Sequence, residues 1–296
     1  MPSILFPRFF LRVLATAAFL ACFSTHAMAQ PSQAVQIQFN ASVAGQPFEC
    51  GKSYVQVGRP EQTITPTEWR MFISDIALRD TNGQWIPLQL TPDGMWQNGQ
   101  LALLDFENGK GPCRNGTTGL NLTARGQVPA KIYSGIKFKI GVPFDQNHGD
   151  PTTANPPLST TAMFWNWQGG YKFIKFDALT ATHYNPLLPP QRSAFSFHLG
   201  STQCASTAQT QPPMKACQKP NVVQVELVGQ NPLSTPVVFD MATLLRSTDV
   251  ANNTPNTPPG CMSSLSDPDC TEIFRHLHLL DPTSDALHQG FVRWGK

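Results

Sequence analysis

The sequence predicts an all-β protein: a single antiparallel β-sandwich-like domain with long Pro- and Gly-rich loops and disulfides. Short stretches alternate between apolar and polar residues, as in strands with one buried and one solvated face. The 27 prolines and 21 glycines supply many turns, and no segment keeps a 3.6-residue apolar period over three helical turns. With 41% apolar residues, the chain can bury one sizeable core.

Strict two-residue alternation identifies the clearest strands. Residues 35–39, 136–140 and 223–227 each alternate between apolar and polar side chains, which is typical of half-buried strands. The polar side chains then point away from the core. Further strands are expected at residues 101–106 and 120–124.

The remaining elements are assigned from turn and helix signals. Residues 69–78 and 85–90 lie on either side of Asn82-Gly83, which predicts a hairpin with an Asn-Gly turn. Residues 239–245 fit either a short strand or a turn of helix. Residues 271–279 contain neither Pro nor Gly and are the best helix candidate. Pro-rich loops are expected at residues 155–158, 185–191, 211–213 and 252–259.

Residues 1–29 have the features of a secretory signal peptide. Arg8 and Arg12 precede an apolar run at residues 13–23, and Ala27-Met28-Ala29 fits the small-x-small pattern that signal peptidase prefers. The apolar run is shorter than the roughly 20 residues that a helix needs to cross a bilayer. We therefore predict a mature periplasmic domain at residues 30–296 without a transmembrane segment.

Cys22 allows a second interpretation of the same segment. Phe19-Leu20-Ala21-Cys22 loosely resembles a lipoprotein cleavage box. In that case Cys22 would become the acylated first residue of the mature chain. The lipid would then anchor the protein to a membrane. Because Phe19 stands where such boxes usually have Leu, cleavage before Gln30 is the preferred prediction.

The predicted mature chain carries no net charge. Removal of Arg8 and Arg12 leaves 19 basic residues against 19 acidic ones. This balance lacks the positive field with which proteins attract nucleic acid or anionic lipid. We therefore expect no nucleic-acid partner.

The six cysteines of the mature chain predict three disulfides. An even number is typical of paired cysteines in an exported protein. The pairs Cys204–Cys217 and Cys261–Cys270 would each enclose a Pro- or Ser-rich loop, which favours local pairing, and Cys50–Cys113 follows by elimination. In a competing interpretation the cysteines ligate a metal, but the Cys-x-x-Cys spacing of such sites is absent.

Two histidines flank a segment rich in tryptophan. His148 and His198 lie on either side of Met163, Trp165 and Trp167. Alternate residues of a strand share a face, so His198 is expected opposite the apolar residues at 195, 197 and 199. The same rule predicts that Met163, Trp165 and Trp167 share one face.

These side chains suggest copper as the ligand. Imidazole and thioether groups suit Cu(I), and exported proteins tend to lose thiolates to oxidation. Zinc usually takes a carboxylate or a third histidine as well. Calcium stays open, because Asp145, Asn147 and Asp150 supply oxygens beside His148. The competing structural interpretation is that the histidines only form hydrogen bonds and the Met-Trp stripe only packs.

Three ordered motifs resemble the MbnP family, the periplasmic copper-binding proteins also described as the four-Cys half of a "metallo-mystery pair". The motifs are Phe144-Asp145-Gln146-Asn147-His148-Gly149-Asp150-Pro151, residues 163–173 from Met163 to Phe173, and Phe197-His198-Leu199-Gly200-Ser201-Thr202-Gln203-Cys204. The segment at residues 72–78 and the Cys261 to Cys270 tail add weaker support. The resemblance extends over nearly the whole mature chain.

The resemblance implies a secreted β protein that binds copper and is not an enzyme. Its implied partner is a dihaem MauG-like protein of the cytochrome c peroxidase family, which converts a tryptophan to kynurenine. Carried over to this chain, His148 and His198 are the expected ligands, and Trp165 or Trp167 is the residue modified. Met163 is a speculative further ligand.

The chain also departs from the family pattern. It has six cysteines where the family description has four, and His276 and His278 lie in its C-terminal region. This pair would share a face on a strand but diverge on a helix. Solvated histidines are therefore expected there, with coordination by the pair as the alternative. His183 lies in a Pro-rich loop and has no evident partner.

A second class of function is a recognition module. The sequence contains no Gly-x-Ser-x-Gly, His-Glu-x-x-His, phosphate loop or Cys-x-x-Cys-His, so no catalytic or haem-attachment motif is recognised. A secreted β-sandwich could instead bind carbohydrate or a protein by stacking on exposed tryptophans, here Trp85, Trp96, Trp165 and Trp167. This alternative leaves His148 and His198 without a shared role.

Overall fold

The chain folds into two β-sheets that pack against each other, which confirms the predicted all-β, sandwich-like class. The computed structural model describes residues 3, 31–114, 116–181, 192–280 and 290–296. Pro31–Lys296 form one compact unit. The predicted signal peptide, His183 and the Pro-rich loop at residues 185–191 lie outside the described residues. The helices found in the described part fall short of the length and apolarity that crossing a bilayer requires.

The described part of the chain is mostly strand. In chain order the strands are β1 (Ser32–Val43), β2 (Gln46–Pro47), β3 (Tyr54–Val57), β4 (Gln62–Asp80), β5 (Trp85–Pro87), β6 (Gln89–Leu90), β7 (Gln97–Asn98), β8 (Leu101–Asp105), β9 (Thr123–Pro129), β10 (Tyr133–Ile140), β11 (Phe164–Asn166), β12 (Gly170–Ala181), β13 (Arg192–Gly200), β14 (Val223–Val228), β15 (Val237–Asp240) and β16 (Val292–Trp294). The short helices are α1 (Phe144–Asn147), α2 (Met241–Leu245) and α3 (Thr271–His276), with 3-10 turns at Gly111–Cys113, Thr161–Met163 and Pro268–Cys270.

The smaller sheet has the order β16-β15-β1-β9-β6, with β2 also paired to β1. The larger sheet has the order β11-β12-β4-β10-β14, and β13 extends it beside β12. Strands β3, β5 and β8 pair with β4, and β7 pairs with β8. Among the described strands, β1 and β15 run parallel. The smaller sheet is therefore mixed, which the alternation of apolar and polar residues could not reveal, whereas the described strand pairs of the larger sheet are antiparallel.

Aromatic side chains join the two sheets in the core. The ring of Phe39 in β1 lies 5.7 Å from that of Phe138 in β10, edge to face. Phe239 in β15 stacks on Phe39 at 6.0 Å and meets Phe138 at 6.1 Å. Phe239 also contacts Phe106, which in turn contacts Trp69 of β4. Each sheet therefore buries its apolar face against the other.

The predicted strands at residues 35–39, 136–140 and 223–227 are confirmed within β1, β10 and β14. The strand expected at 120–124 begins later, because Asn121 pairs only as an isolated bridge with Asp105 and β9 starts at Thr123.

The predicted hairpin is present, but its turn differs from the predicted type. The amide of Gly83 donates to the carbonyl of Asp80, and the amide of Asp80 donates to that of Gln84. Gly83 alone takes a positive φ, of 81°, whereas a two-residue Asn-Gly turn needs positive φ at both positions. The Asp80 carboxylate accepts hydrogen bonds from the amides of Asn82 and Gln84 and stabilises the wider turn.

The ends of helices α2 and α3 show how the two C-terminal predictions turn out. Residues 239–245 form the end of a strand followed by a short helix. Strand β15 ends at Asp240, whose side chain accepts a hydrogen bond from the amide of Thr243 and caps α2. Helix α3 ends at His276, earlier than the 271–279 prediction. His278 adopts φ 57°, and the amide of Leu279 reaches back to the carbonyl of Phe274, which is a Schellman ending.

All three predicted disulfides are present. Cys50 pairs with Cys113, Cys204 with Cys217, and Cys261 with Cys270. The first joins segments 63 residues apart, and the other two close local loops of 13 and 9 residues. In this oxidised state the sulfur atoms are bonded to each other, which contradicts the competing interpretation of cysteines as ligands in the resting protein.

The face of β4 opposite Trp69 carries a buried ionic cluster. Arg70 donates from Nε and Nη2 to the two carboxylate oxygens of Glu68, at 2.7 and 2.6 Å. Lys175 of β12 lies 2.8 Å from the same carboxylate, and Glu107 lies 3.9 Å from Arg70 Nε. Buried charges are stable only when they are paired in this way.

Asp105 completes this cluster from β8, where it pairs in register with Arg70. Its side chain is fully buried. Burial raises the pKa of Asp105 from 3.8 to about 7, against the opposing effects of the Thr117 hydrogen bond and the Arg70 charge. Asp105 therefore keeps its proton over a pH range in which an exposed aspartate is ionised.

Phe239→Ala should lower the free energy of unfolding by about 3–5 kcal/mol, because it leaves a cavity where both sheets meet. Phe239 is fully buried. Denaturant unfolding followed by tryptophan fluorescence measures the change. The control is Val55→Ala, a side chain that is 55% exposed and should shift stability by no more than about 0.5 kcal/mol. Equal effects of the two changes would contradict the packing described.

Asp105→Asn should alter the pH dependence of stability. The folded state holds the Asp105 proton up to about pH 7 while the unfolded chain releases it near pH 3.8, so this stabilising contribution is complete at low pH and is lost as pH rises between those values. Relative to the wild type, the variant should gain on the order of 1–4 kcal/mol between about pH 4 and pH 7. Denaturant unfolding across this range tests it, and a constant difference would refute the raised pKa.

Candidate metal centre

His148 follows helix α1 directly and is nearly buried, with 6% of its surface exposed. Its Nδ1 lies 3.1 Å from the carbonyl oxygen of Trp167. A carbonyl can only accept, so Nδ1 carries the proton and the lone pair is on Nε2. Burial lowers the pKa of His148, and the Trp167 hydrogen bond only partly offsets this. The imidazole is thus held neutral with Nε2 able to act as a ligand.

Asn147 positions the surroundings of His148. Its Oδ1 accepts from the amide of Tyr171 at 2.9 Å, and its Nδ2 lies 3.2 Å from Nε2 of His148. The same Nδ2 donates to Ser201 Oγ at 3.3 Å. One buried amide therefore connects α1, the start of β12 and the segment after β13.

Gly170 is required for this close approach. It adopts φ +75°, and a Cβ there would lie 2.4 Å from the carbonyl oxygen of Asn147. No side chain fits so near to a backbone atom. A glycine at this turn thus allows the tryptophan segment to lie against His148.

His198 lies on β13 with its side chain opposite the buried Phe197, as predicted. Its Nε2 is 2.8 Å from Oδ1 of Asp177 on the neighbouring strand β12. A carboxylate acceptor places the proton on Nε2 and the lone pair on Nδ1. Burial acts to raise the pKa of Asp177, but the hydrogen bonds from His198 and Ser196 and the charge of Lys175 lower it overall. This carboxylate-histidine pair is typical of metal-ligating histidines.

Trp165 packs against β13, where its indole lies beside His198 and over Gly200. Its ring centroid is 6.5 Å from that of His198, at an interplanar angle of 48°. A Cβ at Gly200 would lie 2.4 Å from Cζ3 of Trp165, so the indole covers a bare backbone position. Trp167 packs edge to face on Phe164 at 6.3 Å. Both indoles are half-buried.

Lys172 forms hydrogen bonds with the backbone that leads into the tryptophan segment. Its Nζ donates to the carbonyls of Ala162 and Phe164, at 3.0 and 3.1 Å, and lies 5.9 Å from the ring centroid of Trp165. Burial lowers the pKa of Lys172 to about 8. The ammonium group therefore replaces lost water with carbonyl oxygens and a π face.

The predicted common face of Met163, Trp165 and Trp167 is wrong. Met163 ends a 3-10 turn and is fully buried in the hydrophobic core, and β11 covers only Phe164–Asn166. Two-residue alternation therefore does not extend across the segment. Trp165 instead approaches His198, while Trp167 contacts Phe164, a residue predicted on the opposite face.

The two histidines meet the same short segment at different residues. His148 bonds the backbone of Trp167, and His198 lies beside the ring of Trp165. Met163 is buried in the hydrophobic core and is not part of this arrangement. His276 is also hydrogen bonded, with Nδ1 2.7 Å from the carbonyl of Leu244, which corrects the prediction that it is solvated.

The sequence did not indicate that a disulfide lies beside His148. Nε2 of His148 is 3.7 Å from Sγ of Cys217, and this nitrogen and the sulfurs of Cys204 and Cys217 all lie within 4.8 Å of one another. Asp177 and Asn147 were also missed as orienting groups. Local patterns do not mark the contacts of His148 with Cys217 or of His198 with Asp177, which join residues 69 and 21 positions apart. Asn147 is adjacent to His148, but its hydrogen bonds to Tyr171 and Ser201 are long-range.

A cavity of about 340 Å³ lies beside the tryptophan segment. Its wall includes Trp165, Gln168, Cys204 and Met262. Gln168 donates to the carbonyl of Cys204 at 2.9 Å. The cavity therefore gives solvent a route to both the indole and one half-cystine.

Comparison with known proteins identifies the family of the chain. The solved structure of MbnP from Methylosinus trichosporium is similar, with a TM-score of 0.75 and 28% sequence identity over 90% of this chain and 99% of that one. No curated protein sequence is similar enough to count as a match. The family model for MbnP matches residues 32–263, and because this is most of the chain, the protein belongs to the MbnP family.

Proposed function

We propose that this protein binds Cu(I) in the periplasm, with His148 and His198 as ligands beside Trp165 and Trp167. One observation carries the proposal: each imidazole has one nitrogen hydrogen bonded to an oxygen acceptor, Trp167 O or Asp177 Oδ1. In the neutral ring the other nitrogen is unprotonated, and in His148 this nitrogen accepts a hydrogen bond from Asn147 Nδ2 that a bound copper ion would replace. Two such histidines reach the same tryptophan segment.

The donor chemistry fits copper better than calcium. Neutral imidazole is a good ligand for Cu(I), whereas calcium needs several converging oxygens. The Asp150 carboxylate is occupied by the amide and hydroxyl of Thr152. In the described residues, the three-member groups of potential ligands form around His148 and around Glu107, which leaves Asp145 and Asp150 outside them. Met163 is least favoured as a ligand, because it is fully buried in the core.

The tryptophans would supply a further donor after modification. A dihaem MauG-like partner would take electrons from Trp165 or Trp167 and pass them to peroxide. Two equivalents of peroxide cleave the indole 2,3-bond to give N-formylkynurenine and water, and hydrolysis then releases formate and leaves kynurenine. Its aromatic amine and ketone are groups that the indole lacks. In this reaction the protein is the substrate, and we propose no catalytic activity of its own.

The location and role follow from the same chemistry. The signal-like N-terminus and three disulfides support an oxidising, extracytoplasmic compartment. There, a site without thiolates can hold copper while its ligands stay unoxidised. We propose a role in copper homeostasis or handling.

The double change His148→Ala and His198→Ala should abolish tight Cu(I) binding, because both proposed ligands are removed. Competition with a chromogenic Cu(I) chelator measures the affinity, which should fall by at least about 100-fold. His276→Ala is the matched control, since Nδ1 of His276 hydrogen bonds to the carbonyl of Leu244 in α2, and it should leave the affinity unchanged. Full affinity in the double variant would disprove the assignment.

Protein purified from its native periplasm should contain kynurenine. Conversion of one indole adds about 4 Da to the peptide that carries Trp165 and Trp167, and fragmentation identifies the residue. Protein produced without a dihaem partner should show the unmodified mass and bind copper more weakly. An unmodified peptide from the native source, where that partner is present, would argue against the tryptophan chemistry.

A further inference from the structure

Three potential ligand atoms converge next to the proposed copper site without being used by it. They are Nε2 of His148 and the sulfurs of Cys204 and Cys217, all within 4.8 Å of one another. All three residues are buried, each with 6% of its surface exposed. The two sulfurs are bonded in a disulfide and cannot act as thiolate ligands in that state.

The spacing suits a shared metal ion once the sulfurs are reduced. Metal–sulfur and metal–nitrogen bonds of about 2.3 and 2.0 Å place neighbouring ligand atoms roughly 3.5–4 Å apart. Nε2 of His148 and Sγ of Cys217 already lie 3.7 Å apart. Only the two sulfurs would have to separate.

We propose that reduction of the Cys204–Cys217 disulfide creates a second, thiolate-containing Cu(I) site formed by Cys204, Cys217 and His148. This site goes beyond the proposed function, because it requires neither His198 nor kynurenine. It shares His148 with the first site, so the two are alternatives for one ion. The redox state of the disulfide would then select between a histidine site and a much softer one.

The redox step balances with an external dithiol as reductant. Two electrons and two protons pass from the dithiol to the disulfide, which becomes two thiols while the dithiol is oxidised to its own disulfide. Binding of Cu(I) then releases the two thiol protons and forms two copper–sulfur bonds and one copper–nitrogen bond.

The fold keeps the two cysteines close when the disulfide is broken. The amides and carbonyls of Thr202 and Lys219 exchange hydrogen bonds of 2.8 and 3.2 Å, and the amide of Gln218 donates to the carbonyl of Gln203. These bonds join the segment that precedes Cys204 to the segment that follows Cys217. The new thiols would therefore stay near His148.

The site is also accessible to a soft metal. Cys204 lines the 340 Å³ cavity, and the thioether-bearing Met262 lies in the same wall. Met214, in the loop between the two cysteines, is 96% exposed. Thioethers on the approach to a thiolate pair are suited to transient Cu(I) binding.

The test compares Cu(I) binding by the full mature chain before and after reduction with a phosphine, without oxygen. Affinity is measured by chelator competition and the ligands by X-ray absorption. Reduction should raise the affinity at least about tenfold and introduce sulfur scattering together with nitrogen. His198→Ala should lose binding in the oxidised form, while its reduced form should bind Cu(I) as tightly as the reduced wild type. This variant separates the inference from the proposed function.

The double change Cys204→Ser and Cys217→Ser should lose the gain and retain binding by the oxidised-type site. The matched control, Cys261→Ser with Cys270→Ser, removes another local disulfide and should keep the gain. His148→Gln leaves all cysteines in place, so it tests the nitrogen ligand even where the cysteine variants unfold. Because His148 belongs to both sites, the reduced forms are compared, and the reduced variant should bind Cu(I) at least about tenfold more weakly than the reduced wild type. No increase on reduction of the wild type, or a reduced His148→Gln protein that binds Cu(I) as tightly as the reduced wild type, would overturn the inference.

Discussion

Both faces of the larger sheet are covered where β4, β12 and β13 run side by side, and this constraint governs the rest of the structure. One face carries Trp69, Phe176 and Phe197 in a row across the three strands and packs into the core. The other face must therefore satisfy its polar groups within the protein.

The polar face is organised as two adjacent rows, one of nitrogen-bearing side chains and one that contains two acids. Arg70, Lys175 and His198 pair across the strands in one row, and Glu68, Asp177 and Ser196 pair in the next. Each basic group bonds an acid of the neighbouring row, as in the Lys175–Glu68 and His198–Asp177 pairs. The orientation of His198 is thus set by the same register that neutralises the buried charges. The imidazole that we propose as a ligand is therefore oriented by the sheet itself.

The sequence predicts those parts of the fold and site that depend on local patterns. Alternation placed His198 opposite the core, and loop composition identified the local disulfides. Alternation failed at Met163, because a 3-10 turn breaks the two-residue period. The Asn82-Gly83 signal gave the wrong turn type, because only Gly83 takes the left-handed conformation. The contacts of His148 with Trp167 and Cys217 depend on chain segments 19 and 69 residues away. No periodicity encodes such distances.

The position of His148 shows how a disulfide and the proposed metal site can occupy one region of the protein. An oxidised cysteine pair is apolar, so the Cys204–Cys217 disulfide buries His148 without competing for its metal. Burial keeps the pKa of the imidazole below its ordinary value, while the Trp167 carbonyl fixes its tautomer. Burial and the Trp167 hydrogen bond together leave Nε2 unprotonated. A backbone carbonyl, a disulfide sulfur and the Asn147 amide therefore surround a neutral, directed nitrogen donor, and the indole of Trp165 lines the cavity nearby.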